Sequence, residues 1–255
     1  MQKRFTAQRR EQLAQMVLEK GHVAVTDAAN ALSVSTETIR KDIIELDKLG
    51  LVMKSRGGAM RVNGVQEKPL VKKSMDYPHQ KNVIARYVTD MVPDGATLIL
   101  DAGSTTTAVA ELLALRSGLT IFTNSAPAIG ILAPSDNDVF ILGGRIRHSS
   151  LATVGEWVST ELATIQADIA LLGADSVDSF SGPTTNSYGE VAVKRSMVAA
   201  AKHRILMADS SKFTLSGSFQ FCTWDQIDCL VTDGGVDQGA VENLAGIVQV
   251  DVARE

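Results

Sequence analysis

The sequence predicts two domains of different class: an N-terminal α+β winged helix-turn-helix over residues 1–62 and a C-terminal α/β domain with a mostly parallel sheet over residues 81–255. Three observations lead there. Residues 23–60 read in order as a short helix, a tight turn, an amphipathic helix and a basic hairpin with a glycine tip. From Lys81 onward, short apolar runs alternate with helical stretches, the pattern of βαβ units. Charge divides at the same place: residues 1–62 carry 11 Lys+Arg against 7 Asp+Glu, and the remainder 14 against 22. A basic head on an acidic body suits a chain that meets a polyanion with one end only.

The first helix is read from Leu13, Met16 and Val17, and Gly21 ends it. Val23 and Val25 alternate as in a short strand. Thr26 is placed to cap a second helix with Ala28, Ala29 and Leu32 inward, and Ser33-Val34 leaves a tight turn. Ser35 caps a third helix that runs to about Leu49 and closes at Gly50. Ile39, Ile43, Leu46 and Leu49 share one face; Glu37, Arg40, Lys41 and Lys48 share the other. Such a helix docks by its apolar stripe and offers its polar N-terminal side to a major groove. The candidate DNA contacts are therefore Ser35, Thr36, Thr38, Arg40 and Lys41, joined by Lys54 and Arg56 of the hairpin, where Gly57 and Gly58 allow close approach to phosphate. Ile44 stands on the polar side, placed to meet bases, a neighbouring domain, or nothing.

The stretch TIRKDIIELDKLGLVMKSRGGAM resembles the N-terminal domain of the DeoR family of bacterial sugar-metabolism regulators, whose helix carries a T-I-R-R-D-L-like signature and whose wing ends in G-G-A. Thr38, Ile39, Arg40 and Asp42 match as they stand. Lys41 replaces the usual second Arg, Met53-Lys54 stands where an Arg is common, and Arg56 where His is common. Lysine keeps the charge but lacks the planar fork of arginine, so the operator sequence does not transfer from relatives.

Residues 63–80, with two prolines and no clear period, are expected to be a linker, with Lys68, Lys72 and Lys73 near DNA or simply solvated. Ile84, Tyr87, Val88 and Met91 then give an amphipathic helix, ended by Pro93-Asp94-Gly95. The runs ATLIL, LTIFT, DVFIL, DIALL, HRILMA, DCLVT and GIVQV follow as strands. Strands this apolar, separated by helices, argue a parallel sheet covered on both faces. Ligands of such sheets gather at the C-terminal strand ends. Those ends here are rich in small polar residues: Asp101, Gly103, Ser104, Thr105 and Thr106; Thr123, Asn124 and Ser125; Gly143, Gly144 and Arg145; Asp175; and Asp209 to Lys212. Ser104-Thr105-Thr106 opens a helix, so its amides and three hydroxyls either cradle an anion or serve only as caps. There is no G-K-[ST] and no G-x-G-x-x-G, so neither a nucleoside triphosphate nor a dinucleotide is indicated. Asp209 and Lys212 read as pocket residues or as turn chemistry, and Lys194 as a ligand contact or a solvated lysine.

This half also resembles the DeoR sensor domain, through LDAGSTT, TNS, LLGG, the span Asp168 to Asp175, and ADSSK. The likeness thus runs to about Asp233. It implies a fold similar to ribose-5-phosphate isomerase and CoA transferases, a phosphorylated sugar effector, and a homo-oligomer, dimer or tetramer. LLGADSVD departs from the family's G-I-D, which puts the sugar-facing side in doubt.

The expected partners are double-stranded operator DNA and that effector. No cofactor and no metal are expected: His22, His79, His148 and His203 lack ligand spacing. Cys222 and Cys229 are too few for a disulfide framework and read as buried thiols. The start MQKRFTAQRREQ has no apolar core and no run reaches the ~18 apolar residues of a span, so a cytoplasmic protein is expected. The competing class is an active sugar-phosphate isomerase with a fused DNA head. It is disfavoured because Asp175 is followed by Ser176, which leaves an acid–base pair incomplete in the sequence.

Overall fold

The computed structural model describes residues 2–48, 51–55, 57–60, 68–178, 181–215 and 217–254. Contacts divide the chain into two units, Met1–Gly64 and Val65–Glu255.

The first unit contains α1 (Gln2–Lys20), β1 (His22–Ala24), α2 (Val25–Ala31), α3 (Thr36–Lys48), β2 (Met53–Ser55) and β3 (Gly58–Met60). Gly21, at φ +74°, ends α1 as its sequence position implies. Val25 belongs to α2 rather than a strand, and α2 has Ala24 at its cap without a side-chain bond, so Thr26 lies inside the helix instead of capping it. Ser35 does cap α3, accepting the Thr38 amide at 3.2 Å. Ile39, Ile43 and Leu46 are buried with Leu13, Val17, Val25 and Val52. Each such side chain removed from water contributes roughly 1.5–3 kcal/mol. The strands pair in the order β1-β3-β2. Gly58 is required there, since a Cβ would stand 2.2 Å from the Val23 carbonyl oxygen. Leu49, Gly50 and Arg56 lie outside the described residues.

The second unit opens with α4 (Leu70–Met75) and α5 (Pro78–Asp90), continues with β4 (Thr97–Leu100), α6 (Ser104–Leu113), β5 (Thr120–Thr123), α7 (Ala126–Leu132) and β6 (Asp138–Ile141), and adds the hairpin β7 (Arg145–Arg147) and β8 (Ala152–Val154). Next come α8 (Glu156–Leu162), β9 (Ala167–Gly173), β10 (Ser176–Asp178), β11 (Gly182–Thr185), α9 (Tyr188–Ala199), β12 (Ala201–Met207), β13 (Phe219–Gln220), β14 (Cys229–Asp233), α10 (Gln238–Ala245) and β15 (Gln249–Ala253). Part of the stretch expected as linker is therefore helical and packed: α4 buries Leu70, whose amide donates to Ser149 O at 2.7 Å.

The seven apolar runs form one sheet, in the order β15-β14-β12-β9-β4-β5-β6, with every neighbouring pair parallel. One face packs Leu98, Leu100, Ile121, Ile169, Leu171, Ile205 and Val231 against Ile84, Val88, Val109, Leu113 and Leu132 of α5, α6 and α7. Helix α9 packs on β9 and β12 and against α8. The chain order reverses between β4 and β9: β5 and β6 extend one way, β12, β14 and β15 the other. Loops leaving two such strands diverge to opposite faces and open a crevice at their C-terminal ends. In the small antiparallel sheet β10-β11-β13, Ser176 and Thr184 share a hydroxyl pair at 2.6 Å.

Candidate functional site

Two places carry chemistry. On α3, Arg40 and Lys41 are exposed and only loosely engaged by Glu37, at 3.6 and 4.0 Å. Ser35 is exposed, Thr36 and Thr38 are half-buried, and Lys54 is exposed on β2, its amide donating to Asp47 at 2.7 Å. Ile44 is 37% exposed on the same helix. Asp42 behaves differently: it is buried and accepts from Arg9 Nε at 2.6 Å and Arg10 Nε at 2.8 Å. Asp42 thus clamps α1 onto α3, a role its place in a charged motif does not announce.

The second place is the crevice where β4 meets β9. It is lined by Lys73, Gly103, Ser104, Thr105, Thr106, Ser150, Asp175, Glu190, Lys194 and Lys212 among others and is open to solvent. Beneath it, Asp101 is buried at the end of β4 and accepts from the Gly173 amide at 3.0 Å and from Lys194. Lys194 reaches over from α9, also donates to Gly173 O at 2.8 Å, and lies 5.1 Å from the Phe221 ring centroid. Burial disfavours its charge, but Asp101 and Glu190 outweigh that and raise its pKa above the ordinary value. Lys194 is therefore a buried cation committed to Asp101, not a solvated lysine, and Asp101 orders the loop floor.

Above that floor, α6 begins. The Thr106 and Thr107 hydroxyls turn back to Gly103 O at 3.0 and 2.7 Å, so the Thr106 hydroxyl is spent on its own turn. Ser104 and Thr105 remain as the hydroxyls of the first turn that line the crevice, beside amides that have no intrahelical acceptor. Asp175 accepts from Lys73 Nζ at 2.6 Å, the Asn186 amide at 2.8 Å and the Thr185 hydroxyl at 3.3 Å. Burial alone would raise its pKa, but Lys73 and the Asn186 amide hold it down, to about 2. Glu190 accepts from Arg147 at 3.1 Å and from Thr185 at 3.1 Å. Lys212 stands 4.0 Å from Asp209, which is wholly buried and also binds the Ser211 amide at 3.1 Å. Lys81 is buried beneath α4, donating to the Lys73 and Asp76 carbonyls; burial lowers its pKa to about 8.

Five expected effector residues are elsewhere. Thr123, Asn124, Ser125, Gly143 and Gly144 end β5 and β6, one and two strands from the reversal, and do not line the crevice. They seat the β7–β8 hairpin instead. Asn124 Nδ2 donates to Thr153 O at 3.0 Å, the Thr153 amide to Asn124 O at 2.8 Å, and the Thr153 hydroxyl to Leu142 O at 2.6 Å. The Thr123 hydroxyl accepts the Ser125 amide at 3.1 Å, and Ser125 caps α7. Gly143 donates to Glu161 at 2.7 Å, and a Cβ on Gly144 would stand 2.8 Å from Val158. Conversely, Lys73, Ser150 and Glu190 line the crevice and were missed. Cys222 and Cys229 are buried free thiols, each pushed up to about 12 chiefly by burial. No helix among the described residues is long and apolar enough to cross a membrane.

Comparison with known proteins agrees with this division. The DeoR-like helix-turn-helix domain matches residues 9–64, and the DeoR C terminal sensor domain matches residues 77–234. The chain is 32% identical to the HTH-type transcriptional regulator GlpR of Haloferax volcanii, over 97% of this chain and 99% of that one. It is 30% identical to the HTH-type transcriptional repressor CsqR of Escherichia coli, over 88% and 87%. It is also 30% identical to the glycerol-3-phosphate regulon repressor of Haemophilus influenzae, over 92% of each. Among solved structures, ribose 5-phosphate isomerase A of Methanocaldococcus jannaschii aligns at TM-score 0.42 and 17% identity, over 55% of this chain and 56% of that one, too distant to carry function. The chain belongs to the DeoR family of DNA-binding transcriptional regulators.

Proposed function

We propose that this regulator is a cytoplasmic repressor of a carbohydrate-utilisation operon, controlled by a phosphorylated sugar or polyol in the β4–β9 crevice. The relatives named as repressors, one of them of a glycerol-3-phosphate regulon, support the sign and the ligand class. One observation carries the reading: the first turn of α6, with Ser104 and Thr105, opens onto the same crevice as Lys73 and Lys212, and the carboxylates of Asp175 and Glu190 line it too. Amides, hydroxyls and ammonium groups suit a phosphate; carboxylates suit sugar hydroxyls. Ser35, Thr36, Thr38, Arg40, Lys41, Lys54 and Arg56 meet the operator. The protein acts as a homo-oligomer, because pairing two small heads on one duplex multiplies their affinity.

Thermal melts of the full-length protein against sugar phosphates, each beside its unphosphorylated sugar, test this. A ligand at 100 times its Kd stabilises by about 2.7 kcal/mol. A phosphate-dependent shift is expected; shifts by free sugars alone would overturn the ligand class.

An isomerase is the second reading, because Asp175, after β9, and Glu190, on α9, are brought to one crevice. Asp175 at about 2 is a weak base, and Glu190 is engaged by Arg147. We therefore favour binding without turnover. Conversion of ribose 5-phosphate by the purified protein would reverse that choice.

A further inference from the structure

We infer that Lys73 is an anion-binding residue of the crevice and that an arriving anion draws it away from Asp175, loosening α4. This rests on the effector reading above and adds to it the residue that converts occupancy into movement.

The crevice holds three lysines with different freedom. Lys194 is locked between Asp101 and Gly173 O. Lys212 has a carboxylate only at 4.0 Å. Lys73 is paired at 2.6 Å, yet its side chain is 21% exposed and its partner Asp175 keeps the Asn186 amide and the Thr185 hydroxyl without it. Asp175 is thus able to release Lys73 and keep two hydrogen bonds, whereas Asp101 without Lys194 would keep only the Gly173 amide at a fully buried site. An anion seated at the first turn of α6 would compete for Lys73 directly, since α4 packs on α6.

Helix α4 is six residues long, too short to persist without tertiary anchors. Those anchors are the buried Leu70 side chain, the Leu70 amide on Ser149 O, Lys81 beneath the Lys73 and Asp76 carbonyls, and the Lys73–Asp175 pair. Of these, the Lys73–Asp175 pair is the charged contact that an anion in the crevice can compete for. The chain enters α4 from residue 68, directly after the segment that leaves the DNA-binding unit. A change in how α4 is held is therefore a change at the N-terminal edge of the effector unit.

The test is hydrogen exchange of residues 68–78 in the full-length protein, with inorganic phosphate against chloride at equal ionic strength, for wild type, Lys73→Gln and Lys73→Arg. Wild-type amides in α4 should exchange about tenfold faster with phosphate. Lys73→Gln should show that faster exchange without phosphate and no further response; Lys73→Arg should behave as wild type. Equal exchange in wild type and Lys73→Gln without phosphate would overturn the proposal, as would phosphate slowing exchange in both. Thermal melts separate the two failures. A phosphate-induced shift that Thr105→Asp abolishes, without any loosening of α4, sinks this inference and leaves the effector reading intact. No shift in wild type by phosphate or by glycerol 3-phosphate sinks both.

Discussion

The Lys194 ammonium reaches from α9 to the Asp101 carboxylate at the end of β4 and also holds the carbonyl of Gly173 at the end of β9. One side chain thereby ties the two strands between which the sheet reverses. Lys194→Met would strand a buried carboxylate, at a cost of roughly 3–5 kcal/mol. Adding Asp101→Asn should recover part of that loss, because an amide oxygen still accepts the Gly173 amide. Both tryptophans, Trp157 and Trp224, lie in this unit, so urea unfolding followed by tryptophan fluorescence reads it selectively. A double variant no more stable than Lys194→Met would show that the charge of Asp101 is not what the lysine compensates.

Asp42 makes the corresponding tie in the DNA-binding unit. Its bonds to Arg9 and Arg10 are charged and part-buried, of a kind that contributes about 1.5–3 kcal/mol each when a partner is removed. The arginines are 20% and 32% exposed and rehydrate readily, so the low end applies. Asp42→Asn should speed hydrogen exchange in α1 and weaken DNA binding while leaving tryptophan-detected unfolding unchanged. Unaltered exchange in α1 would remove the clamp from the account.

Arg40 and Lys41 should carry much of the DNA affinity. Arg40→Ala is expected to cost roughly 1–3 kcal/mol and relax base preference at one position, while Lys41→Ala should lower the salt slope by about one. Binding isotherms across a salt series, on DNA selected from a random pool by wild type, measure both. Wild-type affinity and slope in the double variant would move the recognition surface off α3.

Asp175 gives the protein a particular acid limb. Its pKa is lowered from 3.8 to about 2, so its contribution is complete above 3.8 and lost as pH falls through about 2. A shift of that size corresponds to ~2 kcal/mol. Asp175→Asn should be less stable than wild type near neutrality, and the gap should close between about pH 4 and pH 2. A gap independent of pH would mean the loss arises from packing, not from the ion pair with Lys73.

All seven strands of the parallel sheet were legible because each is a short apolar run set between helical stretches, although the edge strands β6 and β15 are only partly covered. The strands β10, β11 and β13 were not, being short and built from Ser176, Gly182, Pro183 and Gln220. Strand ends were legible, but their neighbours in space were not. That is why Thr123, Asn124 and Gly143 joined the expected site alongside Asp175, although the sheet puts them beyond its reversal point. Glu190 was hidden because Ser187-x-x-Glu190 reads as a helix start, where a glutamate is ordinary. Lys73 was hidden in an aperiodic stretch; nothing local in the sequence pairs it with a carboxylate 102 residues later.

The phosphate end of the site is tested most directly at Thr105. This residue lies in the first turn of α6, is nearly buried, and lines the crevice beside Ser104. Thr105→Asp keeps the side chain small and places negative charge at a helix N-terminus, which favours rather than strains the helix. The variant should therefore fold, with a circular-dichroism melt within about 1 kcal/mol of wild type. Charge where phosphate is to sit should nonetheless abolish the response to sugar phosphates, while operator affinity without effector stays that of wild type. For an inducible repressor, the variant remains on its operator whatever sugar phosphate is added. If it folds and releases DNA at the wild-type effector concentration, the phosphate binds elsewhere, and Ser104 and Thr105 serve only to begin α6.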